Sequence, residues 1–347
     1  MSKDRELYNC FFTKTVLMLM IVLYHSILAW SGNWFQAVEV SVEKPLAIIA
    51  NYFNSFHIYA FVLVSGYIFY YAKCECGKYD SFVAFAINKF KRLIVPYITV
   101  SAIWVIPIGA FFFKYNFEEV VTKYVLAISP NQLWFLVMLF GVFLVFWPLT
   151  SFMKKHFKCG LFVAVVFYAF GVLGSALLPN VFQIWTIFKY VIFFWLGFVI
   201  RQYKLTKYKN TWPLWVVVHM ALFVLSRVIQ DFNDNYVMKT VNIGCEFAVH
   251  IVGAIMAFAL MQSIGSRIDK QPGILSSLGK KSMPVYLFHQ QIIYVTIYML
   301  NGLVSPYIHS IINFVVAMIL SFALSAMLMR FKATSFLIGE KYTTKEV

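Results

Sequence analysis

The sequence predicts an all-α membrane protein, a polytopic helical bundle of about ten transmembrane helices with both termini in the cytoplasm. Of its 347 residues, 61% are hydrophobic and only 12% are charged, whereas soluble domains average about 25% charged residues. The mean hydropathy is +0.76, and apolar runs of about 20 residues, long enough to cross the hydrocarbon core, recur from end to end. This composition excludes a soluble enzyme, a disordered chain and a nucleic-acid-binding protein, although the net charge is +15.

Ten runs of mainly apolar residues are predicted to span the membrane within a single domain, residues 1–347. They cover residues 11–31, 46–71, 93–113, 131–151, 160–178, 182–201, 211–230, 240–264, 283–302 and 306–331. The first run contains Lys14 and is too long for a cleaved signal peptide, so it is predicted to remain in the mature protein as a helix.

The distribution of Lys and Arg indicates the orientation of these spans, because both residues concentrate in cytoplasmic loops. Twenty-two of the 29 Lys and Arg residues lie in the N-terminal segment and in every second segment after it, if Arg201 and Arg330, at the cytoplasmic ends of their spans, are counted there. The intervening segments hold only Lys44, Lys114, Lys123 and Lys239. We therefore predict that both termini are cytoplasmic. Most of the +15 is interpreted as an orientation signal and an attraction to anionic lipid headgroups.

Lys14 and His25 are ionisable residues inside the first span. Such residues mark function or internal pairing, because burying them in lipid is costly. Their separation of eleven residues corresponds to about 1100° of α-helix, roughly 20° past three turns, and to a rise of about 16 Å. Both side chains therefore point the same way. One interpretation is that the two residues form one functional face of the first helix. The other is that Lys14 reaches the inner headgroups and that His25 hydrogen-bonds a neighbouring helix.

Other polar residues lie at definable depths in later spans. Glu246 and His25 are each about six residues from the outer end of their spans, roughly 9 Å below the outer boundary, so Glu246 is a candidate for orienting His25. His289 is expected on the cytoplasmic side of the ninth span. Arg227 and Asp231 are four residues apart on one helix face, and we interpret them as an ion pair at the outer boundary.

A basic cluster precedes the third span, where Lys89, Lys91 and Arg92 are followed by Pro96. On an α-helix Lys89 and Arg92 share a face. Two cations held together could bind a phosphorylated carrier through charge-assisted contacts. The alternative is an ordinary cytoplasmic anchor.

The cysteines indicate no metal site. Cys74 and Cys76 lie in a cytoplasmic loop, where disulfides rarely form, and a Cys-x-Cys without a second pair does not make a zinc site. The sequence also lacks a glycine-rich phosphate loop. We expect no metal and no permanently bound cofactor.

These segments together resemble the acyltransferase-3 family of integral-membrane acyltransferases, which modify bacterial surface glycans. Five motifs carry the resemblance, and they occur in the family's order. Lys14 and His25 match the family's Arg-x10-His, residues 56–61 and 65–67 match its Phe-His-x-Pro-x-Phe and Ser-Gly-Tyr, and residues 89–92 with Pro96 match its Arg-x-x-Arg before Pro. Residues 133–136 match its Leu-Trp-Phe-Leu, and its Ser-x-x-x-Tyr-Leu-x-His is matched by Ser282, Tyr286, Leu287 and His289. Lys replaces the family's Arg at positions 14 and 89, and Tyr59 replaces its Pro.

The resemblance implies a membrane acyltransferase of the bacterial cytoplasmic membrane that moves an acyl group, most simply acetyl, from acyl-CoA to a hydroxyl of a glycan or lipid-linked glycan. Lys89, Lys91 and Arg92 are expected to hold the CoA phosphates, with the pantetheine arm running past Lys14. His25 is expected to act as general base, since imidazole accepts protons near neutral pH. The competing mechanism is an acetyl-His relay.

The remaining candidate residues have supporting roles. Glu246 is expected to assist His25, and His57, Trp134 and His289 are expected to line the substrate path. Membrane lipids are expected partners and nucleic acids are not. The rival function is a transporter or flippase for a glycan, which would use the same buried charges without a cytoplasmic CoA site.

Overall fold

The computed structural model describes residues 3–32, 34, 37–232, 235–268, 273–340 and 342, and every regular element among them is helical. The α-helices are α1 (Lys3–Leu28), α2 (Lys44–Asn54), α3 (His57–Tyr70), α4 (Phe82–Lys89), α5 (Val95–Val100), α6 (Ile106–Phe113), α7 (Phe117–Val120), α8 (Trp134–Lys155), α9 (Phe157–Leu177), α10 (Ile184–Gln202), α11 (Trp212–Gln230), α12 (Tyr236–Gly265), α13 (Gly273–Lys280), α14 (Ser282–Leu300), α15 (Pro306–Leu328) and α16 (Lys332–Leu337). The predicted fold class, a polytopic helical membrane protein, is confirmed. Lys270, Lys341 and Lys345, three of the predicted cytoplasmic charges, lie outside the described residues.

Within the described ranges, nine helical stretches are long and apolar enough to cross a membrane. They correspond to nine of the ten predicted spans. The remaining one, predicted at 283–302, is the 19-residue helix α14, which is less apolar because it carries His289, Gln290 and Gln291. All three side chains are buried. Because protein rather than lipid surrounds most of α14, its side chains do not have to be apolar, and α14 packs along α15.

Two predicted spans are helical but irregular. The second runs over Lys44–Glu75 and is interrupted at Ser55 and Phe56, between α2 and α3. The third runs over Phe82–Phe113, begins eleven residues earlier than predicted, and contains wide π-helical turns at Phe90–Ile94 and Ser101–Val105. Such turns place an extra residue in the helix and occur frequently at functional sites.

The chain forms two compact units, each assembled from separate stretches of sequence. The first comprises residues 1–24, 47–76 and 193–279, and the second comprises residues 25–46, 77–192 and 280–347. Helix α1 contributes its first part to the first unit and its last turn to the second.

Gly66 and Gly197 allow two backbones of the first unit to approach closely. A Cβ added at Gly66 would lie 1.9 Å from the carbonyl oxygen of Phe194, and one added at Gly197 would lie 1.8 Å from that of Leu63. Backbone atoms cannot move aside as a flexible side chain can. Small residues let membrane helices pack with their backbones close together. Gly66 of the Ser-Gly-Tyr motif has this role here.

Gly66→Ala is expected to destabilise the protein by about 3 kcal/mol, the upper end of the range for overpacking, because the new methyl group meets backbone. The measurement is the thermal unfolding midpoint of the detergent-solubilised protein. Gly244→Ala on α12 is the matched control, since a Cβ there has no atom within 4 Å, and this variant should be as stable as the parent or more so. Equal midpoints for the two variants would contradict the prediction.

Candidate active site

The second unit contains a pair of histidines in direct contact. His25 lies in the last turn of α1, and His289 lies near the middle of α14. Nε2 of His289 is 3.0 Å from Nδ1 of His25. His289 is fully buried, and His25 is half-buried. The sequence identified both residues, but it placed His25 near the outer boundary and His289 on the cytoplasmic side, whereas their contact requires one common depth. Counting residues gives depth only where helix ends coincide with the membrane boundaries, so the two estimated depths cannot both hold.

Hydrogen bonding determines which ring nitrogens carry protons. Nδ1 of His289 lies 2.7 Å from the carbonyl oxygen of Tyr286 and 3.2 Å from that of Val285. Carbonyl oxygens only accept, so this Nδ1 carries the proton and Nε2 of neutral His289 is an acceptor. Nδ1 of His25 must therefore donate to it. The base form of His25 then has its lone pair on Nε2, the nitrogen that a general base uses.

The buried side-chain amides of Gln132 and Gln291 hold α14, the helix that carries His289, in position. Nε2 of Gln132 donates to the carbonyl oxygen of Leu287 at 3.0 Å and to Oε1 of Gln291 at 2.7 Å. The hydroxyl of Tyr286 donates to the carbonyl oxygen of Gln132. These bonds fix the register of α14 and hence the direction of His289. Sequence reasoning missed Gln132, although a polar side chain beside the Leu-Trp-Phe-Leu motif was an available signal.

An aromatic ring from the loop after α1 lies against His25. The ring of Trp34 lies 5.6 Å from that of His25, and the ring of Tyr294 lies 5.1 Å from that of Trp34. The hydroxyl of Tyr294 accepts a hydrogen bond from Gln290, with the two atoms 2.5 Å apart. Trp34 lies in a loop and gave no periodic signal that could have singled it out.

Trp134, a predicted substrate-path residue in the same unit, makes packing contacts. Its ring lies 5.9 Å from that of Tyr190 and 6.1 Å from that of Phe135. A role in binding substrate stays a prediction.

The basic cluster does not form the common helix face that the sequence predicted. The ammonium group of Lys89 lies 4.0 Å from the ring centre of Phe143, a cation–π contact. Lys91 and Arg92 are exposed. The α-helical spacing is wrong because the π-helical turn Phe90–Ile94 starts directly after Lys89. Lys91 and Arg92 are thus the exposed cations of the motif.

The C-terminal segment packs against this cluster. Thr99 donates a hydrogen bond of 2.6 Å to the carbonyl oxygen of Leu337. Gly339 has a φ of +73°, and a Cβ there would lie 2.6 Å from the carbonyl oxygen of Arg92. Burial raises the pKa of Glu340, and the positive charge of Arg92 partly opposes that rise. Arg92 therefore has an acidic group in its surroundings.

The first unit contains the other predicted site residues. Lys14 lies over the ring of Phe61, with 5.4 Å between the ammonium nitrogen and the ring centre. Because α1 is an unbroken helix over Lys3–Leu28, the eleven-residue spacing to His25 is helical, as assumed. His57 is buried, and its Nδ1 lies 2.5 Å from the carbonyl oxygen of Phe53, beside the break between α2 and α3.

Glu246 belongs to a charged cluster on α11 and α12. Its carboxylate accepts hydrogen bonds from Arg227 at 2.5 Å and from Gln230 at 2.9 Å. Nε2 of His250 lies 3.7 Å from the other oxygen. The carboxylate that Arg227 contacts is Glu246, and not Asp231 as the spacing suggested. A role for Glu246 in orienting His25 stays a prediction.

Arg201, at the end of α10, forms a buried ion pair. Its guanidinium binds both carboxylate oxygens of Glu75, at 2.7 and 2.9 Å, and donates to the hydroxyl of Tyr67 at 2.9 Å. Arg201 is only 8% exposed. The Tyr of the Ser-Gly-Tyr motif therefore has a structural partner.

The fold and the histidine pair define an integral-membrane protein that holds two contacting histidines in a largely buried site. A family model described as an acyltransferase domain matches residues 12–330, nearly the whole chain. The chain belongs to this family, the acyltransferase-3 family, and is a membrane acyltransferase. No characterised protein and no solved structure matches it significantly.

Proposed function

We propose that this membrane acyltransferase moves an acyl group, most simply acetyl, from acyl-CoA to a hydroxyl of a bacterial cell-surface or lipid-linked glycan, in the cytoplasmic membrane. The observation that carries the proposal is the contact between His25 and His289. Together with the carbonyl oxygens at Nδ1 of His289, this contact favours a proton on Nδ1 of His25 and the lone pair on Nε2. The family supplies the reaction class, and this tautomer supplies a base suited to it.

The proposed reaction uses this arrangement as follows. Nε2 of His25 takes the proton of the acceptor hydroxyl as the hydroxyl oxygen bonds to the thioester carbonyl carbon. The carbon–sulfur bond then breaks, and the CoA sulfur leaves with the proton returned by the imidazolium. His289 accepts the Nδ1–H of His25 throughout, so it holds the ring and stabilises its positive charge, as the third member of a catalytic triad does.

An acetyl-His relay uses the same nitrogen as a nucleophile. Nε2 of His25 would bond to the acyl carbon as the carbon–sulfur bond breaks, and the CoA thiolate would take up a proton from water. The acceptor hydroxyl oxygen would then bond to the acyl carbon as the carbon–nitrogen bond breaks, and the hydroxyl proton would return to water. The two routes differ in whether labelled enzyme forms when the acceptor is absent.

The test of the reaction class uses purified protein in lipid nanodiscs, radiolabelled acetyl-CoA and a crude lipid-linked or surface glycan fraction. We expect label to appear in the glycan and free CoA to be released in equal amount. In sealed vesicles the rival function predicts that glycan crosses the membrane while acetyl-CoA stays intact. That outcome would contradict the proposal.

Donor binding is assigned to Lys91 and Arg92, the exposed cations. Lys91→Ala with Arg92→Ala is expected to raise the KM for acetyl-CoA about 10- to 100-fold with little change in kcat, because charge-assisted contacts to phosphate contribute about 1.5–3 kcal/mol. Initial rates at varied acetyl-CoA concentration measure this effect. The matched control is Lys154→Ala with Lys155→Ala at the end of α8, also exposed.

Lys89→Ala separates packing from donor binding. Because its ammonium group lies against Phe143, we expect this variant to lose about 1–2 kcal/mol of stability and to change the KM less than the double variant. An unchanged KM for acetyl-CoA in the double variant would contradict donor binding and would indicate that the cluster is an ordinary cytoplasmic anchor.

A further inference from the structure

The last turn of α1, which carries His25, is hydrogen-bonded to α15. Nδ2 of Asn313 donates to the carbonyl oxygen of Ser26, the residue after His25, at 3.2 Å. In the turn that follows α1, Nε1 of Trp30 donates to the hydroxyl oxygen of Ser310 at 2.7 Å. Ser310 and Asn313 are three residues apart and therefore share a face of α15. That face of α15 holds the end of α1.

The hydrogen bond from Asn313 is of the kind that fixes a helix end. The last carbonyl oxygens of an α-helix point beyond the helix and accept donors from other parts of the structure, and Ser26 is two residues before the end of α1 at Leu28. Ser26 and Asn313 are both fully buried, so water does not compete with the amide for this carbonyl oxygen. The bond therefore favours one position of the end of α1 relative to α15.

The amide of Asn313 is itself oriented by α14, the helix that carries His289. The hydroxyl of Thr296 donates to Oδ1 of Asn313 at 2.6 Å. Because the carbonyl oxygen of Ser26 only accepts, the amide nitrogen faces Ser26 and the amide oxygen faces Thr296. Thr296 follows His289 by seven residues, nearly two full turns, so both side chains lie on the same face of α14. That face reaches the end of α1 twice, directly through His289 and indirectly through Asn313.

We propose that Asn313 is a positioning residue for acyl transfer, because it sets the place at which His25 meets His289. This inference rests on the proposed function, which makes His25 the base. The contact of 3.0 Å between the two histidines depends on where α1 ends relative to α14. Asn313 joins these helices through its bonds to Ser26 and Thr296. Without those bonds the end of α1 can shift or rotate, and Nδ1 of His25 then loses its acceptor for part of the time.

The first test is the kinetics of Asn313→Ala. We expect kcat to fall about 10-fold, since small misplacements of a catalytic group lower the rate, and the KM for acetyl-CoA to stay unchanged. The loss is smaller than for His289→Ala because His289 is still present and Trp30 still bonds to Ser310. The double variant Asn313→Ala with His289→Ala should be no slower than His289→Ala alone, because both residues act through the same imidazole.

Thr296 offers a milder pair of variants, which also serve if Asn313→Ala fails to fold. Thr296→Val removes one hydroxyl at almost constant volume and should lower kcat about threefold, the loss expected for one hydrogen bond. Thr296→Ser keeps the hydroxyl and should retain nearly the parental kcat. The matched control is Ser321→Ala. Ser321 is a buried serine of α15 whose hydroxyl bonds to the carbonyl oxygen of Ala317 in the same helix, so this variant should keep the parental kcat.

The second test reads the tautomer of His25 and needs no activity. Solid-state nitrogen NMR of histidine-labelled protein in lipid bilayers distinguishes protonated from unprotonated ring nitrogens, and the signals of His25 are those absent from His25→Ala. The parent protein should carry the proton of neutral His25 on Nδ1. Asn313→Ala should show a mixture of the two tautomers.

The two tests separate this inference from the proposed function. A parent protein that transfers no label contradicts the proposed function, and mixed tautomers in Asn313→Ala would even then support the assignment of Asn313 to His25. Parental kcat in both Asn313→Ala and Thr296→Val would overturn the inference, and so would His25 signals that Asn313→Ala leaves unchanged. A raised KM for acetyl-CoA in Asn313→Ala, or an equal loss of kcat in Ser321→Ala, would indicate general damage to α15 and would also overturn it.

Discussion

Replacing His25 with alanine should reduce acyl transfer by about 10³- to 10⁴-fold while the protein remains folded in the membrane. A positioned general base contributes about 10²–10⁴-fold, and this variant also removes the donor that faces His289. The His25 side chain is half-buried at the end of a helix, so its loss should leave the fold intact. The measurement is the initial rate of label transfer from acetyl-CoA to glycan, normalised to the protein present in membranes.

The matched control is His156→Ala, at an exposed histidine between α8 and α9, which should retain the parental rate. Added imidazole should partly restore the His25→Ala variant, because a free base can occupy the space left by the side chain. Incubation with labelled acetyl-CoA and no acceptor distinguishes the two mechanisms: a relay labels the parent protein and not His25→Ala, and direct base catalysis labels neither. Undiminished transfer by His25→Ala would remove this residue from the mechanism.

Replacing His289 with alanine should lower kcat by about 10²-fold and leave the KM for acetyl-CoA unchanged. His289 is a positioning residue, since the contact that it makes is with Nδ1 of His25 at 3.0 Å. Without this acceptor, the His25 ring can turn and the proton can move to Nε2, where it blocks the base. A misplacement of about 1 Å in a catalytic group costs rates of this order.

Three readouts separate positioning from a general structural role. His289→Gln supplies a carbonyl acceptor and should recover part of the lost kcat. The double variant His25→Ala with His289→Ala should be no slower than His25→Ala alone, because residues that act as a unit are not additive. A damaged fold predicts neither result and would raise the KM as well. A further loss of activity in the double variant would contradict the assigned role.

The membrane class and the positions of the helices followed from the sequence because both depend on local signals. A run of about 20 apolar residues is a helix that can span lipid whatever its neighbours are. The same reasoning explains where the prediction was less successful. Helix α14 can be polar because its partners are protein, and the turn Phe90–Ile94 after Lys89 is π-helical. Hydropathy and α-helical spacing could therefore not describe either.

Individual site residues were also visible in the sequence, since an imidazole or a charge inside a span is conspicuous. His25, His289 and Glu246 were singled out in this way. The residues that these side chains contact could not be predicted, because local composition does not depend on contacts between segments that are far apart in the chain. Glu246 contacts Arg227, and Gln132 of a quite different segment holds α14.

The sequence by itself determined that this is a multi-pass helical membrane protein with an acyltransferase signature and a histidine within its first span. The tertiary structure alone decided that His289 contacts that histidine and that backbone carbonyls set its tautomer. It also decided which cations of the basic cluster are exposed. The physical reason is that hydropathy is a property of each segment, whereas proton position and charge exposure depend on atoms brought together from distant parts of the chain.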